Sequence, residues 1–127
     1  LWHGTKLQSL PSILKNGFCR SYSEVFQYGK GTYFALKSSY SFESINYCKP
    51  YRELHDQDIK IILLVRVLVG DTEVGSYDQK RPSTKQDNQM HDSLTDSITD
   101  PTMYVLSSGS DAQAFIEFVL YFTSPRS

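Results

Sequence analysis

At 127 residues the chain is sized for one domain, and its 39% hydrophobic and 13% aromatic residues suffice for a packed, strand-rich core. Lys and Arg number 13 against 14 Asp and Glu, so the net charge is −1. That balance offers no basic stripe for a nucleic-acid groove, and direct nucleic-acid binding is not expected. Cys19 and Cys48, the two cysteines, form no CxxC pair and suit a reducing compartment, hence an intracellular protein without disulfide dependence.

In chain order, Ser9-Leu10-Pro11-Ser12-Ile13-Leu14-Lys15-Asn16-Gly17 predicts a short helix. Ser9 is its expected cap, Pro11 lies in its first turn and Gly17 supplies a left-handed stop. Leu10, Ile13 and Leu14 fall on one face and are expected to pack inward. Cys19 to Tyr28 reads as an irregular loop, and Thr32 to Leu36 as a short strand reached through a glycine turn. Ser38 to Tyr47 reads as a second short helix stopped by Pro50. Ile59 to Val69 is the strongest strand signal, interrupted by Lys60 and Arg66 and far too short for a transmembrane helix. Thr72 to Tyr77 suggests a further strand, and Asp78 to Asp100 a long surface loop without apolar period. Thr102 to Leu106 and Ala114 to Phe122 read as two late strands flanking the turn Ser107 to Asp111. Helix signals come early and strand signals late, which points to an α+β fold with a mixed sheet.

Two glycine-bearing segments stand out. In Leu1-Trp2-His3-Gly4-Thr5 a histidine precedes a glycine, and a residue without a side chain lets the backbone approach a ligand. Gly29-Lys30-Gly31-Thr32-Tyr33 does the same from another wall. Together they suggest a cleft holding a planar, amide-bearing ligand between a His and a Tyr. His55-Asp56-x-Asp58 and His91-Asp92 lack any recognised ligand spacing, so no metal site is expected.

These segments occur within an ordered series. The series comprises Leu1 to Thr5, Ile13 to Phe18, Gly29 to Ala35, Ser39-Tyr40-Ser41, Val65 to Gly70, Asp92 to Asp96 and Gln113 to Phe122. It resembles, over nearly the whole chain, the catalytic domain of the PARP family of diphtheria-toxin-like ADP-ribosyltransferases, and within it the mono-ADP-ribosylating branch. The resemblance implies one catalytic domain over residues 1–127, with a split, mostly antiparallel sheet and short helices. It also implies that further structure of this domain precedes the His-Gly motif.

The resemblance further implies a function: NAD+ as substrate, no metal, protein acceptors, and transfer of one ADP-ribose with release of nicotinamide, in a nuclear or cytoplasmic setting. A catalytically silent module that binds NAD+ or ADP-ribose, or scaffolds partners, is the alternative. His3 would bond ribose hydroxyls. The backbone of Gly4 and the hydroxyl of Ser41 would clamp the carboxamide. Tyr33 would form one wall of the nicotinamide slot and Tyr47, or alternatively Tyr40, the other. Thr5 and Arg20 would contact ribose and phosphate. The third member of the family's His-Tyr-Glu triad falls on Met103 or on Glu117. Met103 is preferred, because the approach from Asp92-Ser93 to Pro101 and the unbroken stretch Ala114 to Phe122 both resemble the mono-transferring branch, whose members carry an apolar residue at this position; Glu117 then reads as a solvent-facing strand residue.

Overall fold

The structure, a computed structural model, describes residues 1–18, 24–39, 51–52, 57–107 and 113–125. Among these residues the chain forms β1 (Trp2–Thr5), a single 3-10 turn (Leu7–Ser9), α1 (Leu10–Asn16), β2 (Glu24–Phe26) and β3 (Gly29–Ala35). There follow β4 (Tyr51–Arg52), β5 (Gln57–Val67), β6 (Thr72–Val74), β7 (Ser93–Thr95), β8 (Met103–Leu106) and β9 (Ala114–Pro125). The sheet runs β4-β5-β1-β3-β8-β7-β6, with β9 on β5 and β2 on β3. Every pairing is antiparallel except that of β6 with β7. No helix among the described residues is long and apolar enough to cross a membrane.

The long apolar run becomes β5, which pairs with β9 from Gln57↔Pro125 to Val67↔Ala114. Its register slips between Leu64 and Val65: Leu64 faces Phe118 while Val65 faces Ile116, so Glu117 is the extra residue of a bulge. Alternate β5 residues Ile61, Leu63 and Val65 join Leu10, Ile13, Phe18, Phe34 and Leu106 in the main core. Helix α1 supplies its share through Leu10 and Ile13.

Several expectations need correction. Leu14 is 54% exposed rather than inward, because a two-turn helix presents only one narrow stripe to the sheet. Ser9 is already helical in its backbone angles and makes no capping bond, the preceding turn having taken that place. Gly17 does end the helix with φ 74°. Strand β1 was not expected, nor was β2 inside the loop from Cys19 to Tyr28. The β2 residue Phe26 pairs with Gly29 across a turn at Gln27-Tyr28. Strand β3 therefore starts at Gly29, three residues before its expected start at Thr32. Gly31 tolerates no side chain, since a Cβ there would collide with the Leu106 carbonyl oxygen.

The segment from Asp78 to Asp100 is not all surface loop. Ser93, Leu94 and Thr95 are buried as β7, and β6 stops at Val74 instead of Tyr77. Ser93 and Thr95 can enter the interior because their hydroxyls donate to the Val69 and Met103 carbonyls, both at 2.9 Å. The two late strands, β8 and β9, do not pair. They lie on opposite sides of β1 and β3 in the sheet. The second expected helix lies, from residue 40 onward, outside the described residues.

Candidate active site

Strand β1 is the hinge of the site. Leu1 and Val65 exchange both backbone bonds, each 2.8 Å long, which makes them a hydrogen-bonded antiparallel pair. Backbone direction alternates along such a strand, so His3 and Thr5 also address β5, opposite Leu63 and Ile61. Trp2 and Gly4 therefore turn their N–H and C=O toward β3. Trp2 pairs there with Ala35, and the register between β1 and β3 ends at that pair. One step further, the amide and carbonyl of buried Gly4 point into a split between two strands of one sheet.

Side-chain parity furnishes the walls. Cross-strand partners share a face of a sheet, as do residues two apart on one strand. Ala35 faces Trp2 on one side and Met103 on the other, and Tyr33 faces Val105. Tyr33, Ala35, Met103, Val105, Trp2 and Gly4 thus belong to one face. Met103 is 8% exposed and Val105 fully buried. The Tyr33 hydroxyl donates to the Gly29 carbonyl at 2.5 Å and accepts from the Tyr28 amide at 3.3 Å, which ties the ring to the glycine turn.

His3 belongs to the opposite face and reaches across the split at its edge. Its Nδ1 lies 2.8 Å from the Tyr33 carbonyl oxygen. A carbonyl only accepts, so Nδ1 carries the proton, and the neutral ring keeps Nε2 as an acceptor. The ring packs edge-on to Phe18 at 5.0 Å and tilted to Phe34 at 5.4 Å. Burial in this apolar setting lowers the pKa of His3, the bond to Tyr33 opposing only part of that effect. His3 is thus uncharged at neutral pH. Thr5 is buried beside it, its hydroxyl 3.4 Å from the Lys6 carbonyl.

The structure brings His3, Gly4 and Thr5 on β1 and Tyr33 on β3 to the two strands that bound the split, with Met103 on β8, the next strand beyond β3. Ser41, Tyr47, Tyr40 and Arg20 lie outside the described residues. Glu117, the alternative third position, projects from the β9 bulge into an ion pair with Arg66 at 2.7 Å. It stands on a strand separated from β3 by β5 and β1. Among the described residues no group of His, Cys, Asp and Glu is arranged to hold a metal.

Sequence reasoning gave Phe18 and Phe34 no part in holding His3, and Asp96 no role at all. Asp96 Oδ1 accepts from the amides of Thr102 at 2.9 Å and Met103 at 3.3 Å, and Oδ2 from the Thr102 hydroxyl at 2.5 Å. Partial burial would raise its pKa, yet these donors together hold it below the ordinary carboxylate value. The signal for it was a lone acid opening a Ser, Asp and Pro-rich turn, a common place for a side chain to bond backbone amides.

Similarity to known proteins agrees with this geometry. The sequence model of the "Poly(ADP-ribose) polymerase catalytic domain" matches residues 1–117. The chain belongs to this family. It is similar to human "Protein mono-ADP-ribosyltransferase PARP14", with 34% identity over 96% of this chain and 7% of that protein. To mouse "Protein mono-ADP-ribosyltransferase PARP12" it is 32% identical over 98% of this chain and 17% of that protein. It therefore spans a small part of either relative. The crystal structure of the PARP domain of Arabidopsis RADICAL-INDUCED CELL DEATH1 superposes with a TM-score of 0.73 at 22% identity, covering 99% of this chain and 66% of that one. That likeness establishes the PARP-domain fold for this chain.

Proposed function

We propose that this PARP domain binds NAD+ in the split and transfers one ADP-ribose to a protein side chain, releasing nicotinamide. The observation that carries the proposal is the backbone of Gly4, whose N–H and C=O both address the split where the register of β1 and β3 stops. A carboxamide offers one acceptor oxygen and a donor NH2, the complement of those two groups. Tyr33, on the Gly4 face, supplies an aromatic wall for a flat ring. His3, neutral with Nε2 open as acceptor, suits a ribose hydroxyl that must donate.

In the reaction the bond from nicotinamide nitrogen to ribose C1′ breaks, its electron pair leaves with nicotinamide, and positive charge develops on the ribose. An acceptor nucleophile then bonds to C1′ and loses its proton. The protein's contribution is orientation and charge stabilisation, not a covalent intermediate. Met103 offers no carboxylate to orient a second ribose hydroxyl, which favours a single transfer over polymer growth. Ser41, Tyr47 and Arg20 join the proposal on family resemblance, as the rest of the carboxamide clamp, the second ring wall and a phosphate contact.

The test is incubation of the full-length protein with labelled NAD+ beside His3→Ala. Label on protein in the wild type, reduced about a hundredfold in the variant, supports transfer. Met103 in place of an acid favours a second reading, a domain that binds NAD+ without transferring. Benzamide binding with no label under any condition would establish that reading instead.

A further inference from the structure

Strand β3, one wall of the split, is backed by β8, whose start is fixed from a distance. Met103, the first residue of β8, sits opposite Ala35, and Leu36 just beyond donates its amide to the Thr102 carbonyl at 3.1 Å. Thr102 and Met103 thus set how the end of β3 meets β8. Both are held by one side chain. Asp96 gathers the two amides and the Thr102 hydroxyl onto its carboxylate. From the other direction, Thr95 donates its hydroxyl to the Met103 carbonyl at 2.9 Å. The amide and carbonyl of Met103 are therefore both bonded by neighbouring residues at the end of β7.

We infer that Asp96 is a positioning residue for the NAD+ slot, acting by fixing Met103 in register with Ala35 on the Tyr33 face. This rests on the reading of the split as the nicotinamide site. Asp96 acts through the backbone of Thr102 and Met103, not as a wall of the slot. Its carboxylate replaces the backbone partners that a strand start lacks, so the first residue of β8 is as well defined as a central one. With Asp96 truncated, three donors lose their acceptor and the 96–103 turn can shift, carrying the Met103 side chain with it.

The charge is secondary to the shape. Asn offers one oxygen to the two amides and an NH2 to the Thr102 hydroxyl oxygen, so Asp96→Asn is the conservative rescue.

The experiment is a double-mutant cycle on the full-length protein, read by the affinity for benzamide, a nicotinamide analogue, and needs no turnover. Asp96→Ala weakens benzamide about tenfold in the wild-type background, and Asp96→Asn by about threefold or less. In a Met103→Ala background, Asp96→Ala costs almost nothing further, because the side chain it positions is gone. Melting temperature is followed in parallel, since a purely structural Asp96 lowers it while leaving the affinity of folded protein alone. Unchanged affinity in Asp96→Ala, or losses that simply add, overturns the role of Asp96 while leaving NAD+ binding intact. A wild-type protein that neither binds benzamide nor takes label from NAD+ overturns the NAD+ reading and this assignment with it.

Discussion

The junction of β5 with β9 and that of β1 with β3 belong to one sheet and are built on opposite terms. The first is a continuous ladder from Gln57↔Pro125 to Val67↔Ala114 with one bulge. The second has a single register pair, Trp2↔Ala35, and beyond it a side-chain bond from His3 to Tyr33. The ladder pairs the backbone groups that β5 and β9 turn toward each other along nearly its whole length. The split leaves those of Gly4 addressed to whatever enters. Cohesion is concentrated where the sheet is closed and the proposed chemistry where it is not, a division that lets one small core support an open site.

The contrast can be broken from either side. The largest effect is expected in the ladder: Ile61→Ala, at a position 1% exposed, costs about 3–4 kcal/mol by chemical denaturation. Benzamide affinity of the protein that remains folded stays within about twofold, since the slot keeps its walls. Next comes the split itself. Transfer by the wild type holds steady as pH falls to the ordinary histidine value of 6.5 and declines only below it, because the pKa of His3 is lowered. The sign is the same for stability. The unfolded chain takes up the proton first, so the contribution of His3 is complete above 6.5 and is lost as pH drops from there toward the folded value. A rate profile whose acid limb lies above that value would show that the ring is not buried as described.

A smaller loss follows from Tyr33→Phe, which keeps the ring but removes its bonds to Gly29 and Tyr28. Benzamide binding weakens about fivefold, measured by calorimetry. The smallest effect is expected at Glu117→Gln. The partner Arg66 side chain is 70% exposed, and such pairs contribute well under about 1 kcal/mol. Label transfer from NAD+ is unchanged in this variant, whereas a large fall would overturn the proposed role of Met103 and assign the third position of the triad to the β9 bulge.

Much of this arrangement was legible in the residues. The apolar runs became β5 and β9, with β9 starting at Ala114 as expected and the other three ends displaced by two or three positions, and the helix stop at Gly17 fell where its glycine stands. His3, Gly4, Tyr33 and Met103 were named through resemblance, and pairing registers brought them to neighbouring strands. What escaped has a common physical cause. Strands β1, β2 and β7 run only three or four residues, and β1 and β7 contain residues that apolar periodicity discounts. Gly4 has no side chain to mark a strand, and Ser93 and Thr95 are interior because their hydroxyls have acceptors. Hydrogen-bond satisfaction of that sort depends on partners 24 and 8 residues away, which a local pattern does not display.

The bond from His3 to Tyr33 has a consequence for evolution. In a fully zipped sheet the Tyr33 carbonyl would face the Gly4 amide, the next rung after Trp2↔Ala35. The imidazole takes that carbonyl and so works as a spacer, keeping a rung of the sheet unmade. Removing the spacer frees the two strands to close. His3→Ala should therefore lose far more binding than thermal stability, its melting temperature falling little or rising, as in sites where function is maintained at the expense of a tighter fold. Drift in a lineage released from selection for transfer would then run toward a better-sealed sheet, with the histidine among the first residues to go.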